Sequence, residues 1–198
     1  MTYDYVDAMI SYMDKRLVRM FSPLKSLLSY DEINALTAVT GVYENALRMA
    51  KASFLQIANR YYAESRFERD MRSLDEQWVD ELLASYDPVS RYIFDSEYDR
   101  KRMRLFEALV ASPVKDQEVK SAVRALSFML RVYAVRMADE AVIEAMNDEG
   151  VAKVEWVAEM DNRTCPTCWK RDGRIYELLK LPPKPHPNCR CWIKAVAP

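Results

Sequence analysis

Apolar side chains recur every three or four residues along two long stretches of this chain. The first carries Leu36, Val39, Tyr43, Ala46, Ala50, Phe54, Ile57 and Tyr61. The second carries Val119, Val123, Leu126, Leu130, Tyr133 and Met137. That spacing lays one apolar stripe along an α-helix. Each stretch predicts a helix of roughly 30 residues, about 45 Å long. Shorter helices are expected around them. One runs from about Asp4 to Met20 and stops before Ser22-Pro23. One starts at Ser73, with Glu76 three residues on as a capping box. One covers about Ser96 to Ala111 and ends at Ser112-Pro113. Pro113 is then expected to open the second long helix, and Gly150 to cap its end.

After Gly150 the pattern changes from helical to extended. Val154–Ala158 alternates loosely and suits a strand. Arg174–Leu178 suits a second, entered through the turn Asp172-Gly173. Trp192–Val196 suits a third. Between the last two lie Pro182, Pro183, Pro185 and Pro187, which forbid helix. The expected fold is mainly α: a long-helix bundle over residues 1–150, followed by a small β-hairpin module over 151–198. Helices of this length could also cross to a neighbouring subunit, so a homo-oligomer is one expectation.

Composition narrows the chemistry of the helical part. Before Gly150 there is one glycine, Gly41, and no histidine or cysteine. No glycine-rich phosphate loop is present, and the carboxylates sit at spacings expected of solvated helix faces. The Tyr and Met stripes are expected to be core. No catalytic constellation is visible here. The N-terminus, MTYDYVDAMISYMDKRL, has acids where a secretory leader carries basic residues. No run of 18 or more apolar residues occurs, so no membrane partner is expected. The chain is expected to be made in the cytoplasm, where disulfides are disfavoured.

Charge divides the chain again. From Arg163 onward there are eight Lys or Arg and two acids, Asp172 and Glu177, a local charge of +6. The total is −1, so the remainder carries −7. A basic tail on an acidic body suggests two parts with different partners, or simply a solvated basic surface. Lys170, Arg171, Arg174, Lys180, Lys184, Arg190 and Lys194 are candidates for contact with DNA or a protein partner.

All four cysteines and the only histidine lie between Cys165 and Cys191. The order is Cys165-x-x-Cys168, then His186-x-x-Cys189-x-Cys191. A C-x-x-C pair turns two sulfurs toward one point, and a second pair brought up by the predicted strand and the proline loop would complete a tetrahedral site. A module of about 45 residues has little core of its own and usually needs a metal or a disulfide. The expected ligands are Cys165, Cys168, His186 and Cys189 around a structural Zn²⁺, with Cys191 competing for the last position. In an extended segment Cys189 and Cys191 share a face, so spacing alone does not choose between them. Two disulfides, or a redox pair at Cys165 and Cys168, are the alternatives to metal. A catalytic zinc of the deaminase type would need H-x-E before the cysteines, and none exists.

These residues also carry a resemblance. Trp156, Asp161-x-Arg163-Thr164-Cys165-x-x-Cys168, Asp172-Gly173 and Pro183-x-Pro185-His186-Pro187-Asn188-Cys189-Arg190-Cys191 together resemble the C-terminal signature of phage minor head proteins. These are the head-morphogenesis proteins of the phage Mu F type. The signature covers about residues 152–197, and the helical part is similar in class and position only. Cys165, Cys168, His186 and Cys189 match the family's Cys/His positions, and Asp161 and Arg163 match its D-x-R-T. Arg163 is expected to brace the Cys knuckle by a hydrogen bond or ion pair, together with Asp161.

The resemblance implies a virion component at the portal vertex, acting in head assembly and in DNA packaging or delivery. Its implied partners are the portal protein, the major capsid protein and packaged DNA, and it implies no enzymatic activity. Many members of the resembled family are longer than this sequence or fused to other domains. The alternative is a zinc-ribbon-like nucleic-acid-binding regulator that uses the basic tail on free DNA.

Overall fold

The computed structural model describes residues 3–27, 32–67, 72–187 and 189–196. Asn188 of the signature lies outside them. The chain runs α1 (Asp4–Phe21), α2 (Glu32–Ser65), α3 (Glu76–Ala84), α4 (Phe94–Ala111), α5 (Lys115–Asp148), β1 (Lys153–Val157), α6 (Pro166–Arg171), β2 (Ile175–Glu177) and β3 (Trp192–Ala195). Short 3-10 turns occupy Ser22–Ser26 and Leu178–Lys180. Among the described residues no helix is long and apolar enough to cross a membrane.

The two periodic stretches are the two longest helices. Each of α2 and α5 has 34 residues, about 51 Å at 1.5 Å per residue. Val39, Tyr43, Ala46, Ala50, Phe54, Ile57 and Tyr61 are buried along α2, and Val119, Leu126, Leu130, Tyr133 and Met137 along α5. Leu36 departs from its stripe: it is 39% exposed, and Ala35 takes the inward position at that end. Helix α5 packs against α1, α2 and α4. An aromatic cluster seats α4. The Phe94 ring lies 4.8 Å from that of Tyr133 in an edge contact, and Tyr98 lies 5.3 Å from Tyr43.

Helix ends differ from expectation in two places. The cap of α3 is Asp75, whose side chain accepts from Trp78 N at 2.9 Å, so Ser73 and Glu76 do not form the capping box. An Asp can cap as well as a Ser, and the extended backbone of Asp75 lets the helix begin two residues later. Helix α5 begins at Lys115, so Pro113 lies before the helix rather than at its first position. The Lys115 ammonium turns back to the Leu109 carbonyl at 2.8 Å and closes the α4–α5 corner. At the far end Gly150 does cap α5. Its φ is +70°, Val151 N donates to Met146 O at 2.9 Å, and Gly150 N to Asn147 O at 3.0 Å. This is the Schellman pattern, and it turns the chain out of the bundle.

The expected solvated carboxylates are not all solvated. Asp87 and Glu97 are buried. Glu97 takes Arg100 and Lys101 at 2.7 and 2.8 Å, and these cations outweigh burial and lower its pKa. Asp139 on α5 keeps a side-chain exposure of 21%.

The three strands form one antiparallel sheet in the order β2-β1-β3. Val154 pairs with Tyr176 and Ala195, and Trp156 with Ile193. Gly173, at φ +70°, sits where α6 turns back toward β2, and its N–H bonds to Trp156 O at 2.8 Å. Val154 and Leu178 join the buried core of the helices. Trp156, Ala158, Cys168, Cys189 and Cys191 form a second, smaller cluster.

Candidate metal centre

The C-x-x-C pair lies at the start of a short helix. It opens α6, with Pro166 as the first helical residue and Cys165 as its cap. Proline suits that position because its missing N–H would be unbonded there. The Cys165 sulfur accepts from Cys168 N at 3.3 Å. One helical turn thus brings both sulfurs to the same side. The second pair is made by a turn in which Cys189 N donates to His186 O at 3.1 Å.

Three anchors hold these pieces together. Asp172, after α6, accepts from Ala158 N at 2.8 Å and ties the helix to the end of β1. The Arg171 guanidinium lies 4.9 Å from the Trp156 ring centroid, and its Nη1 reaches the Pro183 carbonyl at 2.8 Å. Asp161 is the third anchor. One carboxylate oxygen accepts from Arg163 N at 2.8 Å, and the other meets Arg190 Nη2 at 2.5 Å, between Cys189 and Cys191 in sequence. The hydrogen bond from Arg190, then that from Arg163 N, pushes the Asp161 carboxyl down to about 2. Arg163 contributes mainly its backbone. Its side chain is 73% exposed, with Nε 3.5 Å from Asp161.

All five donors surround one void of about 20 Å³. Ligand atoms of Cys165, Cys168 and His186 lie within 4.8 Å of one another, and so do those of Cys168, Cys189 and Cys191. Cys168 belongs to both groups, and its sulfur is 3.4 Å from that of Cys189. Zn–S bonds of about 2.3 Å place tetrahedral sulfurs about 3.8 Å apart. A void that holds one water-sized sphere needs about 10–15 Å³. Donor chemistry, spacing and void therefore fit a single soft metal ion, and the cluster could hold one. Cys165, Cys168, His186, Cys189 and Cys191 all line the void, so the geometry does not choose between Cys189 and Cys191.

The thiols are strongly interdependent. All four are free. Burial pushes Cys168 up to about 12. Cys189 is raised by its hydrogen bond to Cys191 and then by burial. Cys191 is lowered to about 5, chiefly because the Cys189 thiol donates to it. At Cys165 burial is outweighed by the N–H groups of Cys168 and Thr167, and its pKa is lowered. A bound dication would favour the thiolate form of the cysteines that ligate it. The buried Trp156 indole N–H faces Cys191 and is among the influences that lower it.

The basic candidates are placed unequally. Lys170, Arg174 and Lys194 are exposed. Lys180 pairs with Glu177 at 2.7 Å. Arg171 and Arg190 are engaged within the module as described. Lys184 points inward, with 16% side-chain exposure, and meets Asp139 at 2.8 Å. Two residues outside the signature approach the site, Tyr3 and Asp139. Neither carries a sequence signal toward it, because only the tertiary fold brings them within reach.

No curated protein and no solved structure matches the chain. A family model does: residues 107–194, which span the end of α4, all of α5 and nearly all of the Cys/His module, match the family described as phage Mu protein F like protein, so this part of the chain is phage Mu F-like.

Proposed function

We propose that this protein is a phage head-morphogenesis protein, a minor component of the virion at the portal vertex. It acts in head assembly and in the packaging or delivery of DNA. The observation that carries this reading is one coincidence. In the part of the chain that matches the phage Mu F like family, all five Cys/His donors of the signature surround one ion-sized void.

Zn²⁺ is the metal proposed for that void, since thiolate and imidazole donors suit it. Its role is structural. Four protein ligands close the shell and leave no position for a substrate or an activated water. The protein has no catalytic activity of its own in this account. The helices supply the surface for the portal or the major capsid protein. Exposed Lys170 and Arg174 supply positive charge for an acidic partner surface or for packaged DNA.

The test is recovery of the tagged protein from lysates of cells producing the phage that encodes it. It should sediment with heads and co-purify with the portal protein. Absence from particles, together with tight binding to free duplex DNA in a gel shift, would overturn this reading in favour of a nucleic-acid-binding regulator.

A further inference from the structure

We propose that Tyr3, Asp139 and Lys184 are positioning residues for the metal site, supplied largely by the helical body, so that metal binding and the docking of the module on the helices are one coupled event. This inference rests on the metal reading above. Its observations are contacts of these three side chains, not of the cysteine sulfurs.

Lys184 has three ammonium hydrogens, and three acceptors surround it. They are Asp139 Oδ2 at 2.8 Å, the Tyr3 hydroxyl at 2.6 Å and the Cys189 carbonyl at 3.4 Å. The Tyr3 hydroxyl lies 2.5 Å from Asp139 Oδ1 and 3.2 Å from the Cys191 carbonyl. It has one proton, and the shorter approach gives that proton to Asp139. The two carbonyls touched by this cluster belong to the two cysteines that compete for the last metal position. The Cys189 carbonyl is therefore held by Lys184, whose ammonium is anchored in turn by Asp139 in the middle of α5 and by Tyr3 before α1, while the Tyr3 hydroxyl oxygen packs beside the Cys191 carbonyl.

Burial makes the arrangement demanding. Asp139 and Lys184 keep 21% and 16% side-chain exposure. Burial raises the pKa of Asp139 while the Lys184 ammonium opposes that rise. A largely enclosed charge left without its partner is strongly destabilising, so the pair forms only when the proline loop lies against α5. Asp139, Lys184 and His186 also line a cleft of about 430 Å³ between α5 and the module, so the cluster fastens one side of that seam. Groups that orient metal ligands from behind typically change metal affinity 10- to 100-fold when removed. Coupling of this kind is reciprocal: if docking strengthens metal binding, metal strengthens docking by the same factor.

The experiment is a cobalt(II) titration of the reduced full-length chain, followed by visible d–d absorption, with zinc competition for affinity. Wild type, Lys184→Met and Tyr3→Phe are compared, and far-ultraviolet circular dichroism checks that the helices are present in each. Wild type should take up one cobalt. Lys184→Met should bind about 10- to 100-fold more weakly, and Tyr3→Phe several-fold more weakly. Hydrogen exchange supplies the reciprocal readout in unmodified protein: chelation should speed exchange at the Asp7 amide, which donates to Tyr3 O at 2.9 Å. Failure of wild type to bind cobalt would remove the metal reading itself. Cobalt binding by wild type with unchanged affinity in Tyr3→Phe and in any folded Lys184→Met, and no change at Asp7 on chelation, would overturn this inference and leave the metal reading standing.

Discussion

The helical body and the C-terminal module solve the same problem by different means. The body buries long apolar stripes. Phe94, Tyr43, Phe54, Tyr61, Tyr133 and Leu130 are each at most 1% exposed, and burying a side chain of that size contributes roughly 1.5–3 kcal/mol. The module has Trp156, Ala158 and three cysteines at its own centre. Such a core cannot offset the chain entropy of its ordered residues. Its remaining stabilisation must come from the Cys/His site and from contact with the body through Val154, Leu178 and Lys184. The body depends on volume, which many sequences can supply. The module instead gathers five Cys/His donors around one void.

That difference sets the order of expected effects. Cys168 belongs to both donor groups, so Cys168→Ser removes a ligand from every assignment of the site. Structural zinc contributes an apparent binding free energy of about 10 kcal/mol or more. Metal analysis should find none retained, and amide exchange should show the module unfolded. Phe94→Ala acts on the other region. It should cost about 3–5 kcal/mol in denaturant unfolding of the body and leave the metal stoichiometry unchanged. Loss of metal in Phe94→Ala at denaturant concentrations where the helices persist would break the comparison.

Gly150→Ala probes the seam between the regions. A Cβ there would meet nothing within 4 Å, so its effect is the strain of φ +70° alone. A cost of about 1–2 kcal/mol is expected in thermal unfolding, with metal content preserved.

Asp161→Asn is the mildest change. It weakens the tether to Arg190 at an exposed site, and a several-fold faster loss of zinc to a chelator should report it. The wild-type pH dependence has a defined sign. The folded pKa of Asp161 is lowered to about 2 from an ordinary value near 3.8. This contact is therefore fully present above about pH 4 and is lost as pH falls toward 2. A stability difference between wild type and Asp161→Asn that is undiminished between pH 4 and pH 2 would contradict this assignment.

Long elements were legible in sequence because their signals repeat. A stripe sustained from Val39 to Tyr61 admits one reading. Single positions were less so: Ser73 and Asp75 are both competent caps, and only the backbone of the folded chain selects Asp75. Helix α6 escaped notice because six residues carry no periodicity, and its cap is a cysteine. The donor set was visible from spacing. The setting of the donors was not. Asp139 reads as one more helix carboxylate and Lys184 as one more basic tail residue, and their meeting depends on how the proline loop folds back onto α5.

The most direct test of the account is metal content per chain, measured on tag-free protein purified under reducing conditions, with thiols counted before and after chelation. About one zinc per chain is expected, with all four thiols titrating after its removal. Protein without zinc, carrying two disulfides among Cys165, Cys168, Cys189 and Cys191, would contradict it.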